Sequence, residues 1–177
     1  SSLKALSSTP TLFNSGTKFA QLSSCFGTVM GDSHEGIFSA VSEIALYSKF
    51  SGGCSLDVTN VRASGSKVSS TNGRAGGPIP YIKLAEDALI GFDQSGKRKG
   101  AGVISMEIWH ANIKDFLKLR DPGDPQLRAH HTFMATWIPD LFMERVSDGG
   151  YWSLFDPKEV PDLHSLYGKE FELRYEH

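Results

Sequence analysis

The chain has 177 residues, of which 40% are hydrophobic, 21% charged and 11% aromatic, with a formal net charge of -2. That is one domain or part of one, at roughly 100–200 residues per domain, with enough apolar residues for a core and no sign of a disordered or collagen-like chain. There is no basic excess to form a nucleic-acid groove and no run near the roughly 18 apolar residues of a membrane span, so neither DNA nor a membrane is an expected partner.

Taken in chain order, Gln21 to Val29 reads as a strand. Asp32-Ser33-His34-Glu35 then opens a helix: Asp32 or Ser33 can cap it, and Glu35 stands three positions after Asp32, as in a capping box. Ile37, Val41 and Ile44 form its apolar stripe. Gly52-Gly53 ends that region, and Ser55 to Val58 is the next strand. Ser64 to Gly77 is a polar loop, Pro78-Ile79-Pro80 starts a helix running to about Ile90, and Gln94 to Gly102 is a second polar loop. Val103 to Ile108 is a strand, Ile113, Phe116 and Leu117 mark a short helix, and Asp121 to Pro125 is a turn. His131 to Trp137 reads as a strand, Asp140 to Val146 as a helix, Trp152 to Phe155 as a strand and Lys169 to Glu176 as a helix. This alternation predicts an α/β fold of βα units around a parallel sheet. Ligands in such sheets sit on loops at the carboxyl ends of the strands, and both polar loops and Cys25 are expected there.

The two cysteines, Cys25 and Cys54, form no C-x-x-C motif, and the histidines have no zinc-ligand spacing, so no metal is expected. Few cysteines and an N-terminus without signal-peptide character point to a reducing, cytoplasmic setting. Either thiol alone reads as a small buried hydrophobe. The loop from Gln94 to Gly100 carries Lys97, Arg98 and Lys99, which suit a phosphate or equally a solvated basic turn; it is no Walker loop. Asp32-Ser33 suits a ribose hydroxyl or plain N-capping. No G-x-S-x-G elbow supports a hydrolase.

Longer blocks carry a resemblance. Ser8-Thr9-Pro10-Thr11-Leu12-Phe13-Asn14-Ser15-Gly16, Gln21-Leu22-Ser23-Ser24-Cys25-Phe26 and Val61-Arg62-Ala63-Ser64-Gly65-Ser66 resemble the large, catalytic subunit of ribonucleotide reductases. So do Ser70-Thr71-Asn72-Gly73-Arg74, Asp93-Gln94-Ser95-Gly96-Lys97-Arg98 and Trp137-Ile138-Pro139-Asp140-Leu141-Phe142-Met143. The blocks run in the family's order over essentially the whole chain and look like class I rather than the cobalamin-dependent class II. The implied fold is the first, parallel half of a ten-stranded α/β barrel.

The resemblance implies removal of the ribose 2′-hydroxyl of a ribonucleoside diphosphate by thiyl-radical chemistry. Cys25 matches one of two reducing cysteines, whose sulfur gives up hydrogen and closes a disulfide. Thr9 and Ser24 match substrate contacts, and Gly53 a glycine that lets the substrate come close. Asp32, Ser33 and His34 match the segment that takes the ribose and base of a deoxynucleotide or ATP effector. Lys49 and Arg62 match further effector contacts, and Ser69 and Ser70 the first flexible loop. Gln94 to Ala101 matches the loop that carries the effector's message, with Gln94 and Arg98 foremost. Asn112 stands where the family usually has Asp. No cofactor is expected on this chain; the radical comes from a metal-containing small subunit, and a homodimer is expected through the helix bearing Ile37, Val41 and Ile44. The Asn-x-Cys-x-Glu segment with the thiyl cysteine, the second reducing cysteine and the ATP cone are absent from the sequence, so a remaining half of the large subunit is the further expected partner, and the chain alone is expected to be inactive. Rival readings are a non-catalytic nucleotide-binding or assembly module and a class II fragment.

Overall fold

The elements in chain order are α1 (Thr9–Asn14), β1 (Cys25–Val29), α2 (His34–Lys49), β2 (Gly53–Asp57), β3 (Lys67–Val68), β4 (Gly73–Arg74), α3 (Ile79–Gly91), β5 (Gly102–Glu107), α4 (Ile113–Leu117), β6 (Phe133–Trp137), α5 (Asp140–Ser147) and α6 (Gly168–Glu176). They are seen in a computed structural model that describes residues 7–92, 99–121 and 129–177. Strands β1, β2, β5 and β6 form one sheet in that order, every neighbouring pair parallel. The α/β class and the parallel sheet therefore agree with the sequence.

Side chains alternate between the two faces of a strand, and here the faces have different fates. Leu56, Ile104 and Met106 are buried beneath α2 and α3, which bring Ile37, Val41 and Ile44 from one helix and Ile82, Ala85 and Leu89 from the other. The expected stripe on α2 is thus its buried face. The opposite face carries Val29, Phe133 and Trp137, which are 59%, 62% and 60% exposed. Purely parallel sheets are ordinarily covered on both sides. A second, smaller core gathers Trp109, Leu163, Phe171 and Tyr175.

Several expectations are corrected. The first strand starts at Cys25, not Gln21, because pairing begins at Cys25 opposite Gly53, while the carbonyl of Gln21 is held by the Asn14 amide. The capping box does not form: Ser33 alone caps α2, its Oγ accepting the Gly36 N–H at 3.0 Å, because the Asp32 carboxylate is taken by Arg62. The loop from Ser64 to Gly77 folds into the β3–β4 hairpin, with Asn72 in the left-handed region at φ 51°, which Asn tolerates. Trp152 to Phe155 makes only a single bridge, Phe155 to His110. The turn at Asp121 to Pro125 lies largely outside the described residues. Among the described residues no helix is long and apolar enough to cross a membrane.

Candidate functional site

The carboxyl ends of β1 and β2 feed the turn before α2 and the segment before the hairpin. Between them lies a cavity of about 490 Å³ lined by Asp32, Ser33, His34, Arg62, Ser69 and Ser70, together with Arg74 and Tyr81. Six residues of the expected effector set are therefore brought together by the fold. Arg62 donates from Nε to Asp32 Oδ2 at 2.8 Å and from its backbone N–H to Oδ1 at 2.9 Å, and Nη2 lies 2.7 Å from Oδ2. The free N–H groups at the start of α2 and the guanidinium beside them favour an anion. Arg74 reaches the same cavity with Nη1 donating to the Gly65 carbonyl at 2.8 Å. In the sequence Arg74 is only the last residue of the Ser70–Arg74 block, with no role attached, and Tyr81 carries no signal, because only the hairpin and α3 bring them there.

A second cavity, of about 440 Å³, opens at the amino ends of the same strands, lined by Cys25, Gly27, Gly53, Ser55, Ala101 and Phe133, among others. Cys25 is the first residue of β1 and sits opposite Gly53, the first of β2. This corrects the expectation that Cys25 and both polar loops share the carboxyl ends of the strands: Cys25 is at the amino end, and the second loop, whose Ala101 borders this cavity, leads into the amino end of β5. Cys25 stands four residues before Val29, about 13 Å from the carboxyl end. The Ser24 carbonyl accepts the Gly53 N–H at 2.7 Å, and Ser24 Oγ lies 3.6 Å from the exposed Cys25 sulfur. A Cβ on Gly53 would come 3.2 Å from that same carbonyl, so glycine suits this close approach.

Other expected site residues go elsewhere. Thr9 begins α1 and is not among the residues lining the Cys25 cavity. Lys49 ends α2, about 22 Å along the helix from His34 at 1.5 Å per residue; within one chain it lines an apolar groove with Phe38, Leu46 and Phe92 instead of the Asp32 pocket. Ala101 borders the Cys25 cavity, its carbonyl accepting the Cys54 N–H at 3.4 Å. Gln94 and Arg98 lie outside the described residues.

The ionisable groups differ sharply in setting. Burial pushes the Cys54 thiol up to about 11, and its sulfur donates to the Ile44 carbonyl at 3.3 Å. Burial, and then the nearby Asp57 charge, push Glu107 up to about 7. Asp57 itself accepts from Ser105 Oγ at 2.7 Å and Trp137 Nε1 at 3.1 Å. Burial lowers His110 below the usual imidazole range despite its bond to the Val61 carbonyl. Among the described residues no three His, Cys, Asp or Glu side chains cluster as metal ligands.

Comparison with known proteins matches residues 23–177 to the family described as ribonucleotide reductase, barrel domain. The chain is 47% identical over 169 residues to the ribonucleoside-diphosphate reductase subunit alpha of Chlamydia trachomatis, covering 95% of this chain and 16% of that protein. It is 46% identical over 176 residues to the subunit alpha of Helicobacter pylori, covering 99% and 22%. To the large subunit of Arabidopsis thaliana it is 48% identical over 169 residues, covering 94% and 21%. The chain thus spans less than a quarter of these relatives' lengths. With the parallel α/β sheet and nearly the whole sequence matched, the chain belongs to the ribonucleotide reductase family, within its barrel domain.

Proposed function

We propose that this chain forms the first half of the ten-stranded barrel of a ribonucleoside-diphosphate reductase large subunit, carrying the effector pocket and one redox cysteine. The observation that carries this reading is that one parallel sheet holds both Cys25 beside Gly53 at its amino edge and the Asp32–Arg62 pocket at its carboxyl edge. In that role a deoxynucleotide or ATP puts its ribose and base against Asp32, Ser33 and His34 and its phosphates near Arg62 and the hairpin serines. The ribonucleoside diphosphate lies over Gly53, with Ser24, beside Cys25, as its hydroxyl or backbone contact. Gln94 and Arg98 belong to the connection between the two.

The chemistry asks two thiols to supply two electrons and two protons; the ribose 2′-hydroxyl leaves as water and the sulfurs close a disulfide. Cys25 is one of these thiols. The second, and the cysteine that takes the 3′-hydrogen, come from the remaining half of the subunit, and the initiating radical from a metal-containing small subunit. A homodimer through α2 accounts for the exposed Phe38, Leu46 and Phe92 along the α2–α3 groove. The setting is cytoplasmic, where both thiols stay reduced.

The test is made in the full-length protein with its small subunit. Cys25→Ser is expected to abolish deoxynucleotide formation while effector binding persists, and Arg62→Ala to weaken effector binding. Effector binding without turnover in the parent would favour the non-catalytic module instead.

A further inference from the structure

Four backbone groups of the segment from Val61 to Ser64, which lines the Asp32–Arg62 pocket at Val61 and Arg62, are each held by a side chain from outside the segment. The Val61 carbonyl accepts from His110 Nε2 at 2.9 Å. The Arg62 N–H goes to Asp32. The Ala63 N–H donates to Asp156 Oδ1 at 3.0 Å, and the Ser64 N–H to Asn112 Oδ1 at 2.8 Å. His110 Nδ1 accepts the Asn112 N–H at 2.9 Å, which leaves the ring's one proton on Nε2, facing Val61. Asn112 then donates from Nδ2 to Asp115 at 3.0 Å. An aspartate at 112 would meet that carboxylate as a like charge, so the amide suits this chain.

The holding groups are themselves tied together. The Ala111 N–H donates to the Phe155 carbonyl at 2.9 Å, and the Phe155 N–H to the Trp109 carbonyl at 2.8 Å. The turn after Phe155 reaches both walls of the pocket: Asp156 grips Ala63, and Lys158 Nζ donates to the Lys67 carbonyl at 2.7 Å, at the base of the hairpin bearing Ser69 and Ser70. Gly77 makes room, since a Cβ there would lie 2.9 Å from the Ser64 nitrogen and 3.1 Å from Asn112 Oδ1.

We propose that His110, Asn112 and Asp156 are positioning residues for the nucleotide pocket, fixing the segment from Val61 to Ser64 so that Arg62 is aimed at Asp32 and at a nucleotide phosphate. The proposal rests on the pocket reading above. It adds that the pocket's shape is set from the turn at Asp156–Lys158, which is not part of the pocket lining. None of the three is a catalytic residue. Asp156 acts through Oδ1, which also accepts the Lys158 N–H at 3.0 Å, so an asparagine can replace it and an alanine cannot.

The experiment titrates dTTP into the full-length protein and its Asp156→Ala, Asp156→Asn and Arg62→Ala variants, well below their melting temperatures. Asp156→Ala is expected to weaken binding about tenfold, and Asp156→Asn to restore it to within about threefold. Labelling of Cys25, at the opposite end of the strands, reports whether the sheet as a whole is disturbed. If the parent binds and Arg62→Ala does not, but Asp156→Ala binds like the parent, the positioning role is overturned and the pocket reading stands. No binding by the parent overturns the pocket reading and the proposal with it. Should Asp156→Ala not fold, hydrogen exchange of the parent decides. The Ala63 and Ser64 amides are expected to be protected without nucleotide, and exchange at free-loop rates overturns the proposal.

Discussion

Cys25 and Cys54 stand one register step apart on neighbouring parallel strands, yet their side chains leave the sheet on opposite faces. Cys25 pairs with Gly53 and is exposed, whereas Cys54 pairs with Phe26 and is buried under α2. A disulfide needs converging Cβ vectors as well as a short distance, so these two cannot bridge without refolding. Both are free thiols.

Thiol chemistry should therefore divide cleanly. At pH 8, one equivalent is expected to react fast with an aromatic disulfide reagent and the second only on unfolding, since Cys54 is buried with a pKa raised to about 11 and only the thiolate reacts. Cys25→Ser should remove the fast phase. A Cys25–Cys54 disulfide formed by mild oxidation of the folded chain would contradict the observed strand faces.

Glu86, on α3, is almost fully buried. Its Oε1 accepts the His131 N–H at 2.6 Å, and its Oε2 takes Lys83 Nζ at 3.1 Å, tying α3 to the segment that leads into β6. Glu86→Ala leaves that N–H without its partner and should cost about 2–3 kcal/mol, read from the urea midpoint. Glu86→Gln keeps an acceptor oxygen and should cost less.

Glu107 should leave a signature in the pH dependence of stability. Its carboxyl titrates at about 7 in the folded chain against 4.5 ordinarily, so the folded state binds the proton more tightly than the unfolded one. Its contribution is then most favourable below about pH 4.5 and is lost as the pH rises through about 7. Glu107→Gln should gain on the parent progressively across that interval and hold a constant advantage above it. Equal urea midpoints at pH 5 and pH 8 for the two proteins would show that the carboxyl is not perturbed.

Gly77 and Gly65 offer a controlled pair. Both have positive φ, 74° and 85°, but a Cβ at 65 meets nothing within 4 Å, while one at 77 meets Ser64 and Asn112. Gly65→Ala should carry only the left-handed penalty of about 1 kcal/mol. Gly77→Ala should cost more, up to about 3 kcal/mol, and should also weaken nucleotide binding. Equal melting temperatures for the two variants would remove the crowding at 77.

Much of this protein is legible in its sequence, because periodicity and local chemistry are local properties. The stripe Ile37, Val41, Ile44 specifies the buried face of α2, Pro78-Ile79-Pro80 marks the start of α3, and the apolar runs at 103 and 131 locate β5 and the edge strand β6. The blocks around Cys25, Arg62 and Trp137 carry the family. Tertiary structure decided the rest. Register, not composition, put Cys25 at the amino edge of the sheet, because pairing with Gly53 begins there. A competing partner, Arg62, drew Asp32 from the helix cap, since two charge-assisted bonds and an ion pair outweigh one capping bond. His110, Asn112 and Asp156 look in sequence like scattered polar residues. Only the bridge between His110 and Phe155 brings them under one stretch of backbone, where its buried N–H and C=O groups must find partners.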